Sequence, residues 1–198
     1  MSFNHDAVAE VVVVVVAACW IVFGGIFVLG RSRAATSETK RAGRFSSGLL
    51  LQCLGYAMCF AVYRTYFSPL FPMAKQFEAI FALGTILIAV GSIWFCLAAV
   101  QTLGKQWALV ARVVDGHELI TQGPYGIVRN PIYLGMFGLL LATGLAVSRW
   151  QALVAGVVLF LIGTELRIRS EEKLLRPAFG EKFDEYARRV PAFFPRVF

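Results

Sequence analysis

The sequence predicts an all-α integral membrane protein, with five transmembrane helices and a cytoplasmic C-terminal amphipathic helical cap. Three observations predict it. The chain of 198 residues is 58% hydrophobic and 16% charged, with a mean hydropathy of +0.69, where a soluble domain carries about a quarter charged residues. Its apolar residues gather into runs at 7–29, 45–67, 79–100, 131–147 and 150–165, to be compared with the roughly 20 residues that cross a bilayer. Its basic residues sort between the two ends of those runs.

The first run contains the valines Val11 to Val16, and its flank carries Asp6 and Glu10 with no Lys or Arg. That charge is the wrong sign for a signal peptide, and the run is longer than the apolar core of one. The second run leads to "SPLFP" at 68–72, a short turn on the outer side. In the third, Gly84 and Gly91 suit close helix packing. The last two runs are short and joined only by Ser148 and Arg149, which predicts a tight helical hairpin partly shielded by protein. Beyond it, "AFGEKFDEYARRVPAFFPRVF" mixes aromatic and basic residues and suits an amphipathic cap lying on the membrane and closing the functional end of the chain from the cytoplasm.

Of the 19 Lys and Arg residues, all but Arg64, Lys75 and Arg149 fall in 31–44, in 101–130 or in the tail from Arg167. With five spans these segments share one side, which the excess of positive charge marks as cytoplasmic, leaving the N-terminus outside. The net charge of +7 is then a topology signal. It flanks spans without an aromatic–basic motif, so no nucleic-acid partner is expected. Cys19, Cys53, Cys59 and Cys96 all lie in apolar runs without a CxxC pair and read as buried small apolar residues. With only His5 and His117 besides, no metal is expected. There is no internal repeat. The chain reads as one domain, 1–198, with 1–100 as scaffold and 101–198 carrying the site.

Chemistry-capable residues concentrate after residue 100. In "GPYGIVRNPIYLG", Gly123 and Pro124 make a turn, Asn130 is a strong N-cap type, and Pro131 suits the first turn of a helix. A helix start there presents free amide donors and a positive dipole end, suited to a carboxylate. Tyr125 and Tyr133 flank it, able to stack on a flat ring or bond a polar group. A loop, a cap and interfacial tyrosines also occur in membrane proteins that have no such site. In "ELRIRSEEKLL", Arg167 and Glu171 are four apart on one helical face. They read either as a surface ion pair or as cationic and anionic ligand-binding groups where a span leaves the bilayer.

Together, "GHELITQGPYGIVRNPIYLG" and "EEKLL" followed by "FGEKFDEYARRVP" resemble the isoprenylcysteine carboxyl methyltransferase family and its bacterial relatives, near the phospholipid methyltransferases. The resemblance covers about residues 103–195; the earlier spans match in hydrophobic character only. It implies a membrane enzyme of the bacterial inner membrane that uses S-adenosylmethionine from the cytoplasm and admits a lipid-like or prenylated substrate from the bilayer. It carries the cofactor-binding stretch onto His117, Glu118, Leu119 and Ile120, the "GPY" tyrosine onto Tyr125, and the "RHPxY" box onto Arg129, Asn130, Pro131, Ile132 and Tyr133. Arg167 takes the substrate side and Glu171 the cofactor side, and these two are the catalytic candidates. Asn130 stands where the family has histidine; it can donate a hydrogen bond but cannot become cationic.

The implied reaction is methyl transfer. A carboxylate acceptor is already ionised at neutral pH and needs no general base, whereas an amine must first lose a proton. Carboxylate O-methylation is therefore the first expectation, and N-methylation of a phospholipid amine the second. A membrane reductase of the sterol type, for which there is no dinucleotide fingerprint, and a non-catalytic membrane scaffold remain as further alternatives.

Overall fold

The computed structural model describes residues 7–33, 40–41, 47–64, 75–104, 112–113 and 119–195. Among these it is helical throughout, apart from one short strand pair: α1 (Ala7–Arg33), β1 (Lys40–Arg41), α2 (Ser47–Ala61), α3 (Lys75–Leu103), β2 (Arg112–Val113), α4 (Pro131–Val147), α5 (Trp150–Phe179) and α6 (Glu181–Arg189). The "SPLFP" turn lies outside the described residues.

Helices α1, α3 and α5 are long and apolar enough to cross a membrane. Helices α2 and α4, with 15 and 17 residues, extend roughly 22 and 26 Å at 1.5 Å per residue. Both fall short of the ~30 Å hydrocarbon layer. The expected short fifth run does not stop at residue 165. It continues as one helix of 30 residues, because the charged segment that follows keeps helical propensity and pairs its charges at i,i+4. Pro177 withdraws a backbone donor, and α5 ends two residues later. Gly180 then turns the chain into α6 with φ +53°.

The loops sort to two ends. At one, β1 and β2 pair antiparallel, Lys40 opposite Val113 and Arg41 opposite Arg112. At the other, the Arg64 amide donates to Val147 (2.8 Å) and the Arg149 amide to Val62 (3.1 Å). Ser148 Oγ donates there to the Cys59 carbonyl at 2.6 Å. The helices therefore run alternately up and down, and α4–α5 is the hairpin that the sequence predicts.

Helix α4 is the shared wall of two cores. On one side Leu139 and Ala142 meet Val16, Cys19, Ile93 and Cys96 of α1 and α3. On the other Tyr133, Met136 and Leu140 meet Cys59, Phe160 and Ile168 of α2 and α5. Protein on both sides explains how so short a helix can be apolar all round. Outward faces of α1, α3 and α5 expose Ile21, Leu87, Trp94, Val154 and Val158, as lipid contact requires.

Close packing falls elsewhere than expected. A Cβ at Gly84 or Gly91 would meet nothing within 4 Å. The intimate seam is α2 against α5. A Cβ on Gly48 would lie 2.6 Å from the Gly163 carbonyl, and one on Gly55 2.7 Å from that of Gly156. Among the cysteines, Cys19, Cys59 and Cys96 are buried free thiols as expected, but Cys53 is exposed. It lies on the apolar α2 surface away from α5, where a small polarizable side chain is equally at home.

Candidate functional site

The site begins with a 3-10 turn, Gly123–Gly126, closed by donation from the Ile127 amide to the Pro124 carbonyl at 3.1 Å. Gly123 has φ +59°, and a Cβ there would meet Thr102 Oγ1 at 3.3 Å, so glycine is needed both for conformation and for the close approach to α3. The turn buries Tyr125 and delivers Arg129 and Asn130 to the start of α4 at Pro131. Asn130 occupies the N-cap position, but its side chain does not cap. Its ψ of 63° is not the extended value that aims a cap at the helix amides, and Nδ2 donates to the Ala192 carbonyl at 2.8 Å instead.

A polar line runs from there into the apolar bundle. Tyr133 of α4 donates its phenolic hydrogen bond to Glu171 of α5. One turn back, Arg167 Nη2 lies 3.6 Å from the same carboxylate, and its guanidinium sits over the Tyr133 ring, 4.8 Å from the centroid. Arg167 Nη1 donates to Gln52 Oε1 of α2 at 3.2 Å. Gln52 Nε2 donates to Thr164 Oγ1 at 2.8 Å. Arg167, Gln52 and Thr164 are all buried. Burying such groups is costly unless each is bonded, and here each is. Gly48 makes the room, since a Cβ there would meet Arg167 Cγ at 2.7 Å.

A second network closes the aqueous end. Arg129 forms a 2.6 Å ion pair with Glu172 and donates from Nη1 to the Ala187 (3.0 Å) and Val190 (2.6 Å) carbonyls at the end of α6. Its backbone amide donates to Pro191 at 2.8 Å. Arg176 joins Glu172 at 3.7 Å and also pairs with Asp184 of α6. Tyr186 donates to the Tyr125 carbonyl at 2.6 Å. Burial pushes the Tyr186 phenol up to about 12 and raises Tyr125 still more strongly, so both stay neutral. The apolar face of α6, Phe183 and Tyr186, is buried against these elements. The predicted amphipathic cap thus packs on the protein's own site.

Between the networks lies a cleft of about 100 Å³. Of the residues singled out in the sequence, Leu119, Ile120, Tyr125, Asn130 and Glu171 line it. Tyr133 and Arg167 stand behind Glu171, on the bundle side. Pro131 and Ile132 pack within the helices and do not line the cleft. His117 and Glu118 lie outside the described residues. Arg129, which the resemblance carries within the box, and Glu172, a conceivable base from its place beside Glu171, line it too, and Leu103, Leu175, Phe179, Phe183 and Tyr186 complete the lining; sequence reasoning missed Gln52 altogether. A polar side chain in the middle of the second apolar run was the available signal for Gln52.

The donor set suits a ligand with a flat apolar ring, a cationic group and an anionic one. Aromatic and aliphatic side chains offer the ring a surface, and Glu171 and Glu172 offer negative charge. Among the described residues, Arg129 Nε is a buried donor without an acceptor, and such an atom ordinarily finds a partner.

Comparisons with known proteins bear on the same region. The phospholipid methyltransferase family matches residues 79–182. The chain is 39% identical over 118 residues, 57% of its length, to the cobalt-zinc-cadmium resistance protein CzcN of Cupriavidus metallidurans, and spans about half (50%) of that relative. It is 30% identical over 185 residues to a "probable protein-S-isoprenylcysteine O-methyltransferase" of Oryza sativa subsp. indica, covering 91% of this chain and 94% of the other. It is 33% identical over 132 residues to protein-S-isoprenylcysteine O-methyltransferase B of Arabidopsis thaliana, covering 64% and 65%.

Proposed function

The chain belongs to the phospholipid methyltransferase family, and on that premise we propose that it is a membrane methyltransferase using S-adenosylmethionine to methylate the carboxylate of a lipid-like or prenylated acceptor. The observation that carries this reading is the polar line from the cleft through Glu171 to the buried Arg167. It links a ligand cleft to a guanidinium set among apolar helices.

Leu119, Ile120 and Tyr125 give an adenine ring an apolar bed, with His117 and Glu118 assigned to the same stretch. Asn130 and Arg129 would hold the carboxylate end, and Glu171, oriented by Tyr133, the cationic end. The bound cofactor supplies an electrophilic methyl group on a sulfonium. Arg167 holds the acceptor carboxylate through its planar fork of donors. That carboxylate is ionised at neutral pH, so no residue has to remove a proton. The site's contribution is alignment, together with the exclusion of water by the packed α6.

Residues 1–198 act as one domain, 1–100 as scaffold, with α1 to α5 all spanning. The short α2 and α4 are shielded by their neighbours. The N-terminus lies outside and the α6 end in the cytoplasm, and a bacterial inner membrane is the proposed location. The second reading, methylation of a phospholipid amine, draws on the family's description; a buried guanidinium on the acceptor side speaks against a cationic acceptor.

Incubation with radiolabelled S-adenosylmethionine and a membrane lipid extract tests the proposal. Base-labile label is the expected result. Base-stable label would transfer the assignment to an amine, and no label in any lipid would remove the enzymatic reading.

A further inference from the structure

We propose that Gln52 is the positioning residue of the acceptor site: a neutral partner from α2 that fixes the Arg167 guanidinium without cancelling its charge. The inference rests on the function proposed above and adds a residue to its substrate side.

Three observations carry it. Gln52 is 1% exposed, in a helix otherwise built of apolar and small residues, a place where a polar side chain needs a reason. Its two ends are both committed. Arginine has donors only, so the amide must present its oxygen to Arg167 Nη1; its nitrogen then faces the Thr164 hydroxyl. Thr164 precedes Arg167 by three residues on α5, so the amide spans one turn of that helix and braces the guanidinium against rotation. Finally, α2 and α5 approach to backbone contact at Gly48 and Gly163, which brings the short amide within reach of both.

The chemistry of the partner decides its use. A carboxylate at position 52 would bind Arg167 more strongly than an amide does. It would also leave the guanidinium flanked by two acids, since Glu171 already stands at 3.6 Å. An amide accepts a hydrogen bond and adds no second negative charge beside Arg167, so an incoming anion meets less repulsion there.

Gln52→Leu and Gln52→Glu, purified as full chains in detergent, separate this role from a structural one. Cofactor affinity and binding of an S-prenylated cysteine carboxylate are measured by calorimetry, thermal midpoint by unfolding, and kcat and KM by label transfer. Gln52→Leu should raise the acceptor Kd and KM by about tenfold or more, the weight of a hydrogen bond to a charged group, with cofactor affinity within about twofold. Gln52→Glu should keep or raise the thermal midpoint and still lose acceptor binding. A Gln52→Glu protein that binds and turns over acceptor like the wild type would overturn the proposal, as would a Gln52→Leu protein losing stability and cofactor affinity with acceptor KM unchanged. A wild type that binds neither ligand would sink the underlying function together with this assignment. A wild type that methylates the prenylated acid, with both variants unaffected, would sink the assignment alone.

Discussion

Tyr133 on α4 serves two charged groups of α5 at once: its hydroxyl donates to Glu171, and its ring lies under the Arg167 guanidinium at 4.8 Å. Tyr133→Phe keeps the ring and removes the donor. It should weaken S-adenosylmethionine binding by about tenfold, corresponding to the 1–2 kcal/mol of a charge-assisted hydrogen bond. Tyr133→Ala removes both contacts and should weaken it further. Calorimetry on the purified variants measures both losses, and unchanged affinity in both would free Glu171 from its proposed cofactor role.

Arg129 joins the start of α4 to the end of α6 through Glu172 and two carbonyls. Glu172→Gln should destabilise the fold by about 2 kcal/mol, because a largely buried guanidinium loses its counter-charge. It should also expose the tail. Limited proteolysis beyond residue 180, compared with the wild type with and without cofactor, reads the second effect.

The seam between α2 and α5 predicts an asymmetry among glycines. Gly156→Ala places a Cβ 2.7 Å from the Gly55 carbonyl and 3.0 Å from Cys59 Sγ, and should cost about 1–3 kcal/mol by overpacking. Gly91→Ala meets nothing within 4 Å and should be neutral or stabilising by up to ~1 kcal/mol. Thermal unfolding in detergent compares the two.

Burial raises the Tyr186 phenol from 10.0 to about 12. A group raised in the folded state contributes its full stability below the unfolded value, and that contribution is lost as pH climbs through the folded one. This part of the stability should hold up to pH 10 and decay between pH 10 and about 12. Thermal midpoints across that window should fall less steeply for Tyr186→Phe than for the wild type.

A reporter fused after Phe198 should be cytoplasmic and one at the N-terminus external. Both on the same side would break the five-span arrangement.

Some of this was legible in the sequence for local reasons. Pro131 announces the start of α4, Ser148 and Arg149 the hairpin, and the four-residue spacing of Arg167 and Glu171 their ion pair. Other features are not local. Gln52 and Thr164 meet across 112 residues of chain, and no periodicity links them. Gly84 and Gly91 are seven residues apart, as are Gly48 and Gly55, and Gly156 and Gly163. Spacing alone therefore could not tell which pairs face a partner helix and which face outward. Arg129 sat within a motif already noticed, but its role depends on the carbonyls of α6, which only the folded tail brings to it.

Helix α5 carries Gly156 and Phe160 in the core, Arg167 at the proposed acceptor position, Glu171 at the cleft, and Phe179 at its far rim. A single rod thus would set the separation of the two proposed ligands, at about 1.5 Å of rise per residue, with no flexible joint between Arg167 and Glu171. The same rod exposes Val154, Val158 and Ile162, an apolar face that a bilayer would hold, so its depth would follow the thickness of the surrounding hydrocarbon. On the proposed function, acyl-chain length in the host membrane would be a control on catalysis: it would raise or lower the reaction plane relative to the headgroups and leave the geometry within that plane intact.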